Sequence, residues 1–432
     1  MVLSPVNTFS PANLWRLSAA VYALWALSMM PAEADTWPQW RGPTRDGQVE
    51  GTPWPSRLQA PDLTQRWRVE LGPGYSGPIV APDRVFTTET VDKKLERVRA
   101  LDRATGRELW RQEWEGAMSV PFFARSNGDW IRATPAWDGE TLYVAGMRDV
   151  LVALDGQDGR IRWQKDFVKE FGTPLPAFGF VSSPLVVGKA LYVQAGGGVL
   201  RLDTADGRVV WRSLESNDGM MGSAFSSPVH VTLAGRPQLV VQTRTELVGL
   251  NPEYGTVLWR QAVEAFRGMN ILTPTVVGDR VLTSTYGGRT LAWDVREERG
   301  DYRIEPAWDF KAQGYMSSPV VIDGHAYVHL RSQRVLCLQI ADGAERWTTS
   351  ESFGKYWSLV AQKDRVLALD EKGELLLFRA NPTRWELLDR RRVSEEESWA
   401  HVAVADSDVF VRDLKGMSSW SWKAAPASAA AQ

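Results

Sequence analysis

Cysteine is nearly absent. Cys337 stands alone in 432 residues, so no disulfide can form within the chain, and neither an adjacent cysteine pair nor a CxxCH haem site is available. Histidine is almost as scarce: His230, His325, His329 and His401 are scattered, three of them in or beside expected strands and His325 in a hairpin turn, which reads as ordinary packing rather than a metal site. Net charge of one sign is lacking too. At −2, with acids and bases mixed, nothing directs the chain to nucleic acid or to acidic lipid. There is no Walker loop, no GxGxxG, no GxSxG elbow and no HExxH helix, so the common signatures of nucleotide binding and of serine or zinc hydrolysis are missing. No apolar run reaches the roughly 20 residues of a membrane-spanning helix. The longest, Leu17 to Met30, follows Arg16 and precedes Pro31 and the small residues Ala32 and Ala34. It reads as a secretory leader cleaved after Ala34, which predicts a periplasmic or secreted protein starting at Asp35, with no lipid attachment site and no stable membrane anchor.

What the chain has in abundance is tryptophan, 21 residues, beside 36 glycines and 24 prolines, a mixture suited to many short strands joined by tight turns. The strands repeat. A Ser-Pro or Thr-Pro-rich element opening an apolar run recurs at Pro78, Pro135, Pro184, Pro228, Pro274 and Pro319, spaced by 44 to 57 residues, and two degenerate copies follow with Leu359 and His401 at the proline position. Each copy continues through a turn such as Asp138-Gly139 or Asp323-Gly324 into an alternating strand, which is a hairpin signal. A third strand ends in Leu-Asp or a relative, and a second tight turn, carrying Gly106, Gly159, Gly207, Gly255 or Gly343, leads to a tryptophan: Trp110, Trp163, Trp211, Trp259 or Trp347. Trp67, Trp308 and Trp385 bring these outer tryptophans to eight, matching eight inner elements. Trp67 precedes every inner element, and the last copy, Trp399 to Trp422, lacks a clean fourth strand. Both irregularities are explained by an all-β, eight-bladed propeller of four-stranded antiparallel blades, closed by an N-terminal strand that completes the last blade.

The turn-plus-tryptophan unit, with Ala100, Ala153 or Ala292 two residues before the turn, resembles the tryptophan-docking motif of pyrroloquinoline-quinone (PQQ)-like propellers, and the resemblance spans residues 64–422. In that family the indole packs between neighbouring blades. Arg201, Gly249 and Cys337 replace the alanine in three copies, where a different packing is expected. The opening WPQWRGPTRDG, Trp37 to Gly47, is similar to that of secreted bacterial members, and residues 35–63 are too rich in tryptophan for a free linker, so they are expected to dock on the propeller. The tail, 423–432, is expected to be disordered.

The resemblance implies two functions. One is a quinoprotein dehydrogenase, with PQQ and calcium on the axis; the single cysteine breaks the pattern of those enzymes, and their calcium ligands find no matching positions here, so PQQ is possible but unsupported by residues. The other, and the reading these residues favour, is a non-catalytic, BamB-like binding module, although without that protein's lipid anchor, with a protein or a small molecule as partner and a monomeric state expected. The connectors entering the inner strands supply a candidate funnel of Tyr75, Trp130, Phe180, Phe225, Tyr315, Tyr356 and Trp399, with Met269 in the eighth and the basic Arg132, Arg267 and Lys355 among them. The longest connector, Arg111 to Thr134, carries Phe122 and Phe123 and reads as a recognition loop. Arg390 to Arg392, followed by Glu395 to Glu397, reads as a solvated connector.

Overall fold

The computed structural model describes residues 35–216 and 222–423, besides Met1. The expected leader and the tail after Lys423 lie outside the described residues. No helix among the described residues is long and apolar enough to cross a membrane.

Eight four-stranded antiparallel sheets form the eight blades of a propeller. Blade 1 runs Ile79–Val80, Arg84–Val91, Leu95–Asp102 and Glu108–Glu115, and blade 6 repeats it with Val320–Ile322, His325–His329, Val335–Gln339 and Glu345–Thr348. Blade 8 takes Ala403–Ala405, Asp408–Asp413 and Gly416–Trp422 from the end of the chain and Leu63–Glu70 from its beginning. Leu63 pairs with Trp422 and Glu70 with Gly416, so the first strand closes the ring. His325 opens a strand of blade 6 rather than sitting in the turn, because the two positive-φ residues that make that turn are Asp323 and Gly324.

Proline fixes where each inner strand starts, since it forces the residue before it into extended backbone. That preceding residue then serves a second purpose. The backbone N–H of Gly77 donates to Thr134 Oγ1, Thr134 N–H to Ser183 Oγ, Ser183 N–H to Ser227 Oγ, Ser227 N–H to Thr273 Oγ1 and Thr273 N–H to Ser318 Oγ, at 2.9–3.2 Å. A hydroxyl belt thus ties blades 1 to 6 around the axis. In the degenerate blades it changes register, with Trp357 N–H donating to Ser317 Oγ and Val402 N–H to Ser358 Oγ.

Outer tryptophans tie the blades again at larger radius. Trp67 lies on Gly106, Trp110 on Gly159, Trp163 on Gly207, Trp211 on Gly255 and Trp308 on Gly343, in each case the turn glycine of the next blade, so close that a Cβ would fall 2.5–2.7 Å from the ring. Each indole N–H donates to a carbonyl of the same turn: Arg103, Gly156, Thr204, Pro252 and Ile340 respectively. Trp347 donates to Asn381 O of blade 7 in the same way. Two tryptophans depart from the expected docking. Trp259 turns its N–H to Gln238 Oε1 of its own blade at 2.7 Å and lies over Gly249, where a Cβ would meet the indole at 2.2 Å. The reason lies in blade 5, whose outer hairpin, Thr290–Glu298 with Asp301–Phe310, turns at Arg299-Gly300 and has no docking turn to offer. Trp385 precedes its strand, Leu387–Arg392, and packs back on Phe378 and Trp347. The docking register in blade 7 falls to Asp389, which accepts the Leu58 N–H at 2.7 Å.

The segment 35–62 lies across the end of the propeller where the inner hairpins turn. Trp37 pairs with Val80 of blade 1, Pro38 O accepts from Trp137 N–H of blade 2, and Gln48 bridges to Ala361 of blade 7. Arg41 enters the axis and donates to Asp46 O and Pro319 O; Arg45 donates to Ser183 O and Pro184 O. Trp54 packs on Trp422, 5.2 Å between ring centres. Of the expected solvated connector, Arg390 to Arg392 end a strand, while Glu395 to Glu397 remain in the link to blade 8; Arg391 lies over the Trp420 ring at 4.7 Å and donates to Leu58 O, clamping the segment 35–62 in place.

Candidate functional site

In a blade of alternating strands, the connector into the inner strand and the loop between the second and third strands emerge at one end. At that end the structure has a cup of about 630 Å³ on the axis. Trp40 and His401 are at its floor, edge to face at 5.8 Å, with the Arg41 guanidinium 5.7 Å from the centre of the Trp40 ring. The N-terminal segment therefore turns an axial channel into a blind cup.

Three aromatic arcs make the wall. Tyr356 stacks on Trp399 at 5.9 Å, and Trp399 meets Tyr75 at 6.1 Å. Phe123, Phe178 and Phe225 form the second arc, at 6.4 and 5.4 Å. Phe266, Tyr286 and Tyr315 form the third, at 5.8 and 5.2 Å. Cations sit against them: Arg132 over Tyr75 at 5.9 Å, Arg267 between Phe123 and Phe266 at 5.7 and 5.1 Å, and Arg331 over Tyr286 and Tyr315 at 4.7 and 5.9 Å. Lys355 adds a fourth, and among the described residues no aspartate or glutamate lines the cup.

Burial sets the ionisation of the groups in and under the wall. It pulls Arg132 down to about 10 and pushes the Tyr75 hydroxyl up to about 12. At the floor, burial and then the Arg41 charge hold His401 down at about 3, so its ring is neutral, with Nδ1 2.8 Å from Val402 O. Arg41 and Arg45, fully buried, are themselves lowered to about 10 and about 9.

Of the residues expected in the funnel, Tyr75, Arg132, Phe225, Arg267, Tyr315, Lys355, Tyr356 and Trp399 line the cup, as does Met269. Phe180 does not: it is only 2% exposed and packs on Phe167 in the core between blades 2 and 3. Trp130 does not either. It is half-buried behind the wall, where its indole and the Tyr75 hydroxyl converge on Gly128. Tyr286 and Arg331 escaped the sequence reading because they come from loops between second and third strands, and Trp40 because it arrives from the other end of the axis. The connector after Glu115 forms a short 3₁₀ turn, Phe122–Asn127, that brings Phe123 to the wall and leaves Phe122 at the rim.

A quinone cofactor held through calcium does not fit these residues. A hard cation takes oxygen ligands, chiefly carboxylates, whereas among the described residues this lining carries four cations and no carboxylate. No group of three or more His, Cys, Asp or Glu among the described residues could hold a metal ion. Cys337 is buried within blade 6.

Relatives with the same architecture follow from sequence and from structure. The outer membrane protein assembly factor BamB of Yersinia pestis is 21% identical over 301 residues, 67% of this chain and 71% of its own length. The crystal structure of BamB from Moraxella catarrhalis superposes with a TM-score of 0.59 at 14% identity, covering 84% of this chain and 99% of that one. The quinohemoprotein alcohol dehydrogenase of Comamonas testosteroni superposes with a TM-score of 0.62 at 12% identity, covering 96% and 86%, which shows that the fold is shared by an assembly factor and an enzyme. The PQQ_2 model, described as outer membrane protein assembly factor BamB, matches residues 94–349, more than half of the chain, and with the eight blades and their docked tryptophans already described, the chain belongs to this PQQ-like, BamB-type propeller family.

Proposed function

We propose that the protein is an exported binding module, acting in the periplasm, that holds a partner at the cup face and carries out no reaction there. The observation that carries this reading is the cup itself: flat apolar walls, four cations and a floor sealed by the chain's own N-terminal segment. Concave, mostly apolar sites with a few directed polar groups are where proteins bind ligands. The opposite face is built of short turns whose residues are committed to backbone conformation or to docked indoles. The relatives named for outer membrane protein assembly support a protein as the partner.

The test is site-directed photo-cross-linking in the native host. A benzophenone side chain at Phe266, on the rim, is expected to give a discrete adduct, while one at Tyr254, 65% exposed in a turn of the opposite face, is expected to give none. Adducts from Tyr254 alone would sink the reading.

A further inference from the structure

We propose that the cup receives an acidic polypeptide segment flanked by apolar residues, a carboxylate entering the cup while the apolar flank lies on the rim; this rests on the binding reading above. Charge is the first argument. Arg132, Arg267, Arg331 and Lys355 form no ion pair among the described residues, although most arginines of the outer strands do. Of the carboxylates near the lining among the described residues, Asp129 and Glu397 stand beside Tyr75, Asp129 also acts on Arg132, and Glu371 accepts the backbone N–H groups of Lys355 and Tyr356; all three lie outside the lining, and Glu397 is engaged by the Trp399 indole at 2.8 Å. Arg132 is half-buried and gives Nε and Nη2 to the carbonyls of Trp130 and Gly128, both at 3.2 Å, which satisfies hydrogen bonds without neutralising the charge. A partly desolvated cation of this kind gains from an anion brought to it.

Geometry selects the carboxylate. The Cζ atoms of Arg267 and Arg331 lie 5.1 and 4.7 Å from the ring centres of Phe266 and Tyr286, and apart from Arg331 Nη2, which is 3.5 Å from the Tyr286 hydroxyl, no side-chain hydrogen bond of either guanidinium is seen among the described residues. The N–H fork of a guanidinium matches two carboxylate oxygens, a match a lysine cannot make. Arg267 is further held by a left-handed backbone, φ 55°, whose carbonyl accepts from Arg244 Nη2 at 2.6 Å. Such a conformation persists only where the surroundings enforce it.

Size selects the polypeptide. Phe122, Phe123 and Phe266 are 80%, 51% and 54% exposed around the mouth. A small anion inside would leave these rings in water, whereas a protein segment reaching over the edge covers them. A threaded nucleic-acid strand, which also favours cations and aromatic faces, has no exit from a cup whose floor is closed by Trp40.

The experiment is selection of a random peptide phage library on the mature chain, followed by titration of the selected peptides as synthetic material. Enrichment of Asp or Glu beside apolar residues is expected, with binding weakened by salt and by about tenfold or more in Arg267→Ala or Arg331→Ala. Replacing the acids by Asn and Gln should abolish it. Both arginines are exposed, so unchanged thermal unfolding of the variants checks that the fold is intact. No enrichment, or enrichment of neutral or basic peptides, overturns the proposal. So does a naphthalene dicarboxylate that binds as tightly as the peptides and ignores Phe122→Ser and Phe266→Ser, or a single-stranded oligonucleotide that displaces them. In those cases adducts at Phe266 would leave the binding reading standing, and their absence would remove it as well.

Discussion

Glu96, in the third strand of blade 1, accepts the Met147 N–H of blade 2 at 2.6 Å and the Trp114 indole of its own blade at 2.9 Å. Gly116 and Gly146 make the room, since a Cβ at either would come within 2.4 Å of the carboxyl oxygen. Asp149 repeats the arrangement one blade on, accepting the Gly196 N–H. Burial pushes Glu96 up to about 7 and Asp149 up to about 6. A carboxyl group whose folded value is raised binds its proton more tightly in the native state, so its contribution is complete below the unfolded value and is lost as pH rises through the folded one. The protein is therefore expected to lose stability between pH 4.5 and 7 from Glu96, on the order of 3 kcal/mol. Denaturant midpoints across that range should flatten in Glu96→Gln; an unchanged slope would show that Glu96 does not titrate there. Nothing in the order of residues marks Glu96, because its burial is produced by a neighbouring blade. The same holds for Phe180 and Phe225, which look alike in their connectors yet point into the core and into the cup respectively.

At the scale of the element, the turn-plus-tryptophan unit was legible for six of the eight outer tryptophans, Trp259 and Trp385 excepted, because its requirement is local. The glycine must adopt positive φ, +73° at Gly106, and must also let the Trp67 ring lie on it. Two substitutions separate these demands. Gly300→Ala, at φ +94° with open space around the Cβ, should cost about 1–2 kcal/mol for the left-handed backbone alone. Gly106→Ala adds a Cβ 2.7 Å from the indole and should cost clearly more, about 3 kcal/mol or above once the ring is displaced. Equal denaturation midpoints for the two variants would mean that the indole is not held on the glycine. Where the neighbouring blade offers no such turn, as for Trp259, the same unit in sequence takes another packing. The loops carrying Tyr286 and Arg331 were missed for a related reason: they are short and unremarkable, and only strand alternation brings them to the same end as the connectors.

Closure belongs to the whole molecule. Leu63–Glu70 covers the edge of Gly416–Trp422, whose residues lie 346 to 359 positions away, and Arg68 adds a paired contact to Asp413 at 2.7 Å. Deleting residues 63–71 should leave Trp420 and Trp422, each 5% exposed, beside an unpaired strand edge. The expected result is concentration-dependent aggregation by light scattering together with a lower unfolding temperature. A monodisperse variant of unchanged stability would rule out the strand as the closing element.

Sequence alone determined the repeat, the number of blades, the strand that completes the last one and most of the aromatic wall, since each rests on residues within a few positions of one another or on a count that must close. Only the tertiary structure decided that residues 37–48 seal the axis, that Trp40 becomes a floor, that Trp130 and Phe180 turn away, and that four cations share one cup with no carboxylate among its described lining residues. These depend on which segments eight separate blades bring to a common axis, and periodicity within one blade carries no information about which way a connector's side chain faces once the ring has closed.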